Sequence, residues 1–113
     1  MLKRAERLNG VNENLCKVVK KAAEKANFNI TVSEGLRTKE RQQQLYNEGL
    51  SKTLNSKHII GMAVDLYPLT NDGEINWSGF ENLVQLMKQA AKELNIKITC
   101  GYDWGWDKPH YEL

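Results

Sequence analysis

Two long segments of this 113-residue chain repeat apolar residues at the spacing of an α-helix, which limits the folds open to it. The first segment covers residues 12–26, with Asn12 as the predicted N-cap. The second begins after Ser78, which has the spacing of a capping box with Glu81. Its apolar face consists of Phe80, Leu83, Val84, Met87, Ala90, Ala91 and Leu94. Each predicted helix therefore has one face to bury against another layer.

Short apolar or β-branched runs predict strands at residues 29–33, 62–67, 96–100 and 110–113. Thr38 begins a further predicted helix, which ends at Gly49 and leads into a polar loop. Helices and strands mixed in this way, with short connections, indicate an α+β fold. We therefore predict a mainly antiparallel sheet of about four strands with three helices packed on it. A chain of this length buries enough surface for one core, so residues 1–113 are predicted to form a single domain.

The composition excludes several classes of protein. Charged residues make up 27% of the chain and apolar residues 41%, which does not fit a disordered or fibrous protein. The net charge is only +2, and no basic cluster is interleaved with aromatic residues, so nucleic-acid binding has no support. No stretch reaches the ~18 apolar residues of a membrane span, and the charged first residues do not form a signal peptide. We therefore expect synthesis in the cytoplasm, with no nucleic-acid or membrane partner.

The two cysteines, Cys16 and Cys100, are too few to form a disulfide framework. Cys16 lies on the apolar stripe of the first predicted helix, so a buried free thiol is expected there. A single disulfide between the two residues stays open, although nothing in the sequence requires one.

The chain contains two histidines, and each lies within a few residues of a carboxylate. His58 is followed by Asp65, and His110 is preceded by Asp107. A lone histidine is more often a surface or core residue than a ligand, but two imidazoles and one carboxylate match the protein ligands of a catalytic zinc site. Asp65 lies in an apolar strand, where a carboxylate is unfavourable unless it is paired or binds a metal. The alternation of a strand also permits Asp65 to face solvent.

These residues form two motifs that resemble the zinc signature of the LAS metallopeptidases. That group includes D-Ala-D-Ala dipeptidases and carboxypeptidases and the L-alanyl-D-glutamate endopeptidases of phage lysins and bacilli. The first motif reads Ser-x-His-x-x-Gly-x-Ala-x-Asp and comprises Ser56, His58, Gly61, Ala63 and Asp65. The second reads Asp-x-Pro-His-Tyr and comprises Asp107, Pro109, His110 and Tyr111. Residues 8–15, 33–38 and 41–49 also resemble segments of the family, so that the resemblance covers most of the chain.

The resemblance implies a zinc site with a general base beside it. His58, Asp65 and His110 would hold Zn²⁺, and Asp107 would take a proton from the attacking water and pass it to the leaving amine. Asp107 and His110 would face opposite sides of a regular strand, so the chain is expected to bend between them. Glu112 would share the face of His110 and is a second candidate for the base.

The resemblance also assigns residues around the metal. Arg37 would stabilise the oxyanion of the tetrahedral intermediate, and Ser56 would contact the substrate. A surface arginine and a loop serine that orders a turn are the alternatives. Trp104 and its neighbour Trp106 either line the substrate groove or pack against the sheet, and Trp104 is the candidate for substrate binding. Cys100 stands where related endopeptidases carry a glycine, and the ligand set that the resemblance implies is complete without its thiol.

Together these residues predict a zinc-dependent peptidoglycan endopeptidase that hydrolyses the L-Ala-D-Glu bond of cell-wall peptides, as phage lysins do. We expect a monomer that has no signal peptide and acts on the cell wall, in the periplasm, after its release. A D-Ala-D-Ala carboxypeptidase or dipeptidase is an alternative, although those relatives are usually longer. A zinc-bound but inactive cell-wall-binding domain is another, but the presence of both Asp107 and Arg37 favours an enzyme.

Overall fold

The two strongly amphipathic segments form helices that pack against each other and against one face of a sheet. The computed structural model describes residues 1–113 and contains α1 (Glu13–Lys25), α2 (Lys39–Asn47) and α3 (Phe80–Leu94). Helices α1 and α3 supply half of the buried core, and the inward side chains of the sheet supply much of the rest. The core residues from the sheet are Ile30, Val32, Val64, Leu66, Cys100 and Tyr111. The apolar faces read from the sequence are therefore the buried ones.

Five strands form one sheet in the order β1-β2-β3-β5-β4. Their bounds are Leu2–Lys3 for β1, Ile30–Glu34 for β2, Ala63–Pro68 for β3, Thr99–Cys100 for β4 and His110–Glu112 for β5. Strands β1 and β2 are parallel, and every other neighbouring pair is antiparallel. The predicted α+β fold, with three helices on a mainly antiparallel sheet, is confirmed, and the sheet has one strand more than the four expected.

Two strands differ from the prediction in existence or length. Strand β1 has only two residues, which is too short for an alternating pattern to be recognised in the sequence. The strand predicted at 96–100 is reduced to its last two residues. The cause is the end of α3, where Asn95 has a left-handed conformation (φ 56°) and the Ile96 N–H donates to the carbonyl oxygen of Ala91 (2.9 Å). Residues 96–98 thus lead the chain out of the helix.

The helix starts agree with the sequence at α1 and α2 but not at α3. The side chains of Asn12 and Thr38 cap α1 and α2 by accepting hydrogen bonds from backbone N–H groups of the first turn. The predicted capping box of Ser78 and Glu81 is wrong, because the Ser78 hydroxyl donates to Asn76 Oδ1 in the preceding turn (2.9 Å). None of the three helices is both long and apolar enough to cross a membrane.

Both cysteines are free thiols, and they lie in different environments. Cys100 is buried in the core, and burial raises the pKa of its thiol to about 11. The prediction of a buried thiol at Cys16 is wrong, because this residue is only half-buried. It lies at the edge of the apolar stripe, where its sulfur is 3.6 Å from the carbonyl oxygen of Val11.

The face of the sheet that points away from the core carries polar side chains. Along β3, Val64 and Leu66 belong to the core, so Asp65 between them lies on the opposite face. Along β5, Tyr111 belongs to the core, so His110 and Glu112 lie on the face of Asp65. Period-2 alternation in two neighbouring strands therefore gathers ionisable groups on one surface.

Candidate metal centre and substrate groove

Antiparallel pairing brings two distant residues of the sequence together. Asp65 on β3 is the register partner of His110 on β5. Side chains of directly opposed residues are neighbours on the face that they share. His110 Nδ1 accordingly lies 3.1 Å from Asp65 Oδ1.

A short 3₁₀ turn at Lys57–Ile60 brings the second imidazole to the same carboxylate. The ring of His58 is buried, and its Nε2 lies 3.1 Å from Asp65 Oδ1. The turn begins at Ser56, whose hydroxyl oxygen accepts a hydrogen bond from the His58 backbone N–H (3.2 Å). Ser56 thus orders the turn, and it also lines the groove described below. The predicted ligands His58, Asp65 and His110 are therefore brought into one cluster.

The hydrogen-bond partners of the two rings determine which nitrogen carries the proton. His58 Nδ1 lies 2.9 Å from the carbonyl oxygen of Gly35, which can only accept, so Nδ1 is protonated. His110 Nε2 lies 2.8 Å from Glu112 Oε1 and donates to it in the same way. If both rings are neutral, His58 Nε2 and His110 Nδ1 carry no proton, and the lone pairs of both nitrogens face Asp65 Oδ1. Three acceptors that converge repel one another unless a proton or a metal cation lies among them.

This donor set fits a metal ion of the zinc type. One nitrogen from each ring and a carboxylate oxygen all lie within 4.8 Å of one another. Two imidazole nitrogens and a carboxylate oxygen are donors that zinc accepts, and three protein ligands are the number found in catalytic sites. The outer nitrogens of both rings are fixed by a carbonyl or a carboxylate, as is usual for metal-binding histidines. The His58–Asp65–His110 group can therefore bind a metal ion.

The electrostatics of the cluster favour cations. Burial alone would raise the pKa of Asp65, but its hydrogen bonds with His110 and His58 hold this pKa well below its usual range. Burial alone would lower the pKa of His110, but its hydrogen bonds with Asp65 and Glu112 outweigh burial and raise the pKa. Asp65 is therefore charged at neutral pH, and its charge favours a proton or a metal cation at this site.

A turn places Asp107 beside the cluster. The His110 N–H donates to the carbonyl oxygen of Asp107 (3.1 Å), which bends the chain between the two residues and confirms the predicted bend. The Asp107 side chain is half-buried and lines the groove. Burial and the neighbouring charge of Asp65 raise the pKa of Asp107, against the attraction of His110, His58 and Arg37. The raised pKa makes Asp107 a stronger base than an ordinary aspartate, which suits a general base.

Glu112 lies on the face of His110, as the sequence predicted, but both of its oxygens are engaged. Oε1 accepts from His110 Nε2, and Oε2 forms an ion pair with Lys57 Nζ (3.0 Å). Burial would raise the pKa of Glu112, but these hydrogen bonds outweigh it and lower the pKa. Glu112 is therefore a weaker base than Asp107.

Arg37 is a buried residue, so the alternative of an ordinary surface arginine is wrong. Its side chain is 9% exposed, and it donates from Nε and Nη2 to the two carboxylate oxygens of Glu34 (2.8 and 2.7 Å). Its Nη1 donates to Gln42 Oε1 (2.7 Å), and its Nη2 lies 3.9 Å from Asp65 Oδ2. This two-point pairing holds the guanidinium in one orientation at the edge of the cluster.

Glu34 and Gln42 belong to the site but were not singled out from the sequence. Glu34 precedes Arg37 by three residues and has the opposite charge, which is a weak signal of pairing. Gln42 is 1% exposed, and its amide donates to Ser51 Oγ (2.8 Å) and to the carbonyl oxygen of Thr53. A buried glutamine in a polar helix has no recognisable pattern in the sequence, because its partners lie in a separate loop.

The cluster lies in a groove with a volume of about 630 Å³. Trp104 lines it, with its ring centroid 5.4 Å from that of His110, and Trp106 stacks on Trp104 at 5.6 Å. Trp104 is 41% exposed and Trp106 is 66% exposed. The structure thus places both tryptophans in the lining of this groove. Residues 49–53 also line the groove.

Gly61 ends the turn that carries His58, and we expect Gly61→Ala to destabilise the fold. Gly61 has φ +71°, and a Cβ there would collide with the carbonyl oxygen of Gly10. We expect a loss of about 2–3 kcal/mol in the free energy of unfolding, from strain and overlap together. Gly73→Ala is the matched control, since Gly73 has φ +84° with open space around it and carries the strain alone. Urea denaturation measures both, and equal losses would contradict the overlap.

The chain is similar to known peptidases along its whole length. The family model described as phage L-alanyl-D-glutamate peptidase matches residues 2–112. The L-alanyl-D-glutamate peptidase of Escherichia phage T5 is 37% identical over 100 residues, which are 83% of this chain and 72% of that protein. The peptidoglycan L-alanyl-D-glutamate endopeptidase CwlK of Bacillus subtilis is 31% identical over 111 residues, which span 84% of this chain and 66% of CwlK.

A solved structure has the same architecture. The crystal structure of the L-Ala D-Glu endopeptidase ChiX from Serratia marcescens superposes with a TM-score of 0.90 and is 31% identical. The match covers 100% of this chain and 90% of ChiX. The helices and the sheet are therefore arranged as in that endopeptidase.

Proposed function

The chain belongs to the phage L-alanyl-D-glutamate peptidase family, and we propose that it is a zinc-dependent endopeptidase that hydrolyses the L-Ala-D-Glu bond of peptidoglycan. The observation that carries this proposal is the convergence of His58, Asp65 and His110, with two nitrogen lone pairs and a charged carboxylate at one point. A group of this kind in an open groove suits hydrolysis assisted by a metal.

His58, Asp65 and His110 would hold the zinc ion. When bound in such a site, zinc acts as a Lewis acid and lowers the pKa of the water that attacks the peptide to ~7. Gly35 and Glu112 support this assignment, because they fix the orientation of the two rings and leave the inner nitrogens free to bind.

Asp107 would act as the general base and then as the general acid. Its carboxylate takes a proton from the attacking water and delivers it to the amine that leaves. Its raised pKa supports this role, since a base works best when its pKa is closer to the working pH. Glu112 is the less suitable candidate, because His110 and Lys57 occupy its oxygens.

Arg37 would stabilise the negative charge that develops on the carbonyl oxygen of the scissile bond. Its guanidinium is held rigidly by Glu34 and Gln42, and a pre-oriented positive charge is most effective where charge develops. Ser56 and Trp104 line the groove beside the cluster and would contact the peptide.

The family membership favours the endopeptidase over both alternatives named from the sequence. The relatives are named for cleavage between L-alanine and D-glutamate and not for a D-Ala-D-Ala activity. An inactive binding domain would not need Asp107 and Arg37 beside the cluster. We further propose that residues 1–113 act as one catalytic domain and as a monomer, on the peptide part of the cell wall.

Mass spectrometry of digested peptidoglycan tests the function. Purified wall is incubated with the protein, with and without a chelator, and the new amino terminus of each product is identified. We expect D-glutamate at the new terminus, and no product when the chelator is present. A new terminus at D-alanine would favour the D-Ala-D-Ala alternative. Cleavage that is unaffected by a chelator would contradict the metal.

The affinity for zinc is expected to rise with pH. A proton on His58 Nε2 or His110 Nδ1 blocks the lone pair that the metal needs, and the raised pKa of His110 extends this competition above pH 6.5. Protonation therefore opposes binding at low pH, and we expect the dissociation constant to fall at least about tenfold between pH 6 and pH 8. Titration against a chromophoric chelator measures it, and equal affinities at both values would contradict the assignment.

A further inference from the structure

Three cations line the groove, and two of them are already paired. Arg37 forms its two-point contact with Glu34, and Lys57 forms an ion pair with Glu112. The third is Lys52, which pairs with no carboxylate. The groove also contains the carboxylates of Glu34, Asp65, Asp107 and Glu112. Among the side-chain cations of the groove, Lys52 is therefore the one whose charge is free to attract an anionic group of a substrate.

The position of Lys52 is defined by an aromatic contact. Its Nζ lies 5.5 Å from the centroid of the Trp106 ring, which is within the range of a cation–π interaction. Trp106 stacks on Trp104, and Trp104 is next to the ring of His110. The rings of Trp106 and Trp104 therefore form a continuous row of contacts from the Lys52 ammonium group to His110 of the metal cluster. Lys52 is exposed, so its side chain can reach a group bound in the groove.

The proposed substrate contains an acid that requires such a partner. A D-glutamyl residue uses its amine in the scissile bond and one carboxyl group to continue the chain, which leaves its other carboxylate free. We propose that Lys52, held against Trp106, binds the free carboxylate of the D-glutamyl residue and thereby determines specificity on the leaving-amine side of the bond. This proposal rests on the proposed function.

Two peptides and three variants test the proposal. One peptide contains L-Ala-D-Glu with its free carboxylate, and the other is identical except that this carboxylate is amidated. For Lys52→Met, kcat/KM on the carboxylate peptide should fall about tenfold, chiefly through KM, because a charge-assisted hydrogen bond is lost. The amidated peptide should change less than about twofold, and Lys52→Arg should restore most of the preference for the carboxylate.

Lys39→Met is the matched control, since Lys39 lines a neighbouring groove with Gln43 and Leu54 and not the one that contains the metal cluster. It should leave both peptides unaffected. A wild-type preference for the carboxylate that persists in Lys52→Met would overturn the inference, and so would a wild-type protein that cuts both peptides equally well. Each of these results leaves the proposed function intact. Cleavage of neither peptide by the wild-type protein would overturn the proposed function and the inference together.

Discussion

Replacing Asp107 with alanine is expected to lower kcat by about 10²–10⁴-fold and to leave zinc binding unchanged. The proposed role of Asp107 is to move a proton from the attacking water to the leaving amine, and no other carboxylate of the groove is free to take it over. Glu112 is held by His110 and Lys57, and Glu34 is held by Arg37. Steady-state hydrolysis of a wall peptide, together with the zinc content of the same sample, measures both quantities.

Asp103→Ala is the matched control for this experiment. Asp103 is an exposed aspartate of the same segment, and it forms an ion pair with Lys88 (2.9 Å) away from the groove. This substitution removes a carboxylate that does not line the groove, so kcat should stay within about twofold of the wild-type value. If Asp107→Ala retained full activity, the assignment of the base would be wrong.

Replacing His58 with alanine is expected to abolish zinc binding and hydrolysis together. Structural zinc in zinc-finger peptides is bound with about 10–16 kcal/mol. On that scale each of a few ligands contributes several kcal/mol, so the loss of one weakens binding by about 10²–10³-fold or more. Only two ligands, Asp65 and His110, then remain, whereas catalytic zinc sites use three. Isothermal titration with Zn²⁺ and the hydrolysis assay measure the two losses.

Cys16→Ser is the control for nonspecific metal binding, because thiols can ligate zinc and the Cys16 thiol lies outside the cluster. It should bind zinc as the wild-type protein does. Circular dichroism of His58→Ala without metal separates loss of the site from loss of the fold, since the His58 ring is buried. A folded His58→Ala protein that binds zinc with wild-type affinity would contradict the ligand assignment.

The helices and the longer strands could be predicted because their patterns are local. The stripe in α1 and the apolar face of α3 are repeated over several turns, so short-range spacing identifies them. Strand β1 and the start of α3 could not be predicted in this way. The first depends on pairing with β2, and the second depends on whether Ser78 bonds to the helix or to Asn76.

The residues of the site were identified from motifs, but their arrangement depends on contacts between distant segments. The sequence left Asp65 either facing solvent or binding a metal, and its pairing opposite His110 places it within the polar cluster. Glu34 and Gln42 were missed because their roles come from the side chain of Arg37, which a sequence pattern does not locate. Lys52 was missed for the same reason, since the role that we propose for it depends on its contact with Trp106 and on its lack of a carboxylate partner.

Anomalous diffraction at the zinc absorption edge, from crystals of the protein grown with Zn²⁺, tests the central claim most directly. We expect one strong peak at about 2.0–2.2 Å from His58 Nε2, His110 Nδ1 and an Asp65 carboxylate oxygen. A peak on other residues, or no peak at this cluster in a zinc-saturated crystal, would contradict the account.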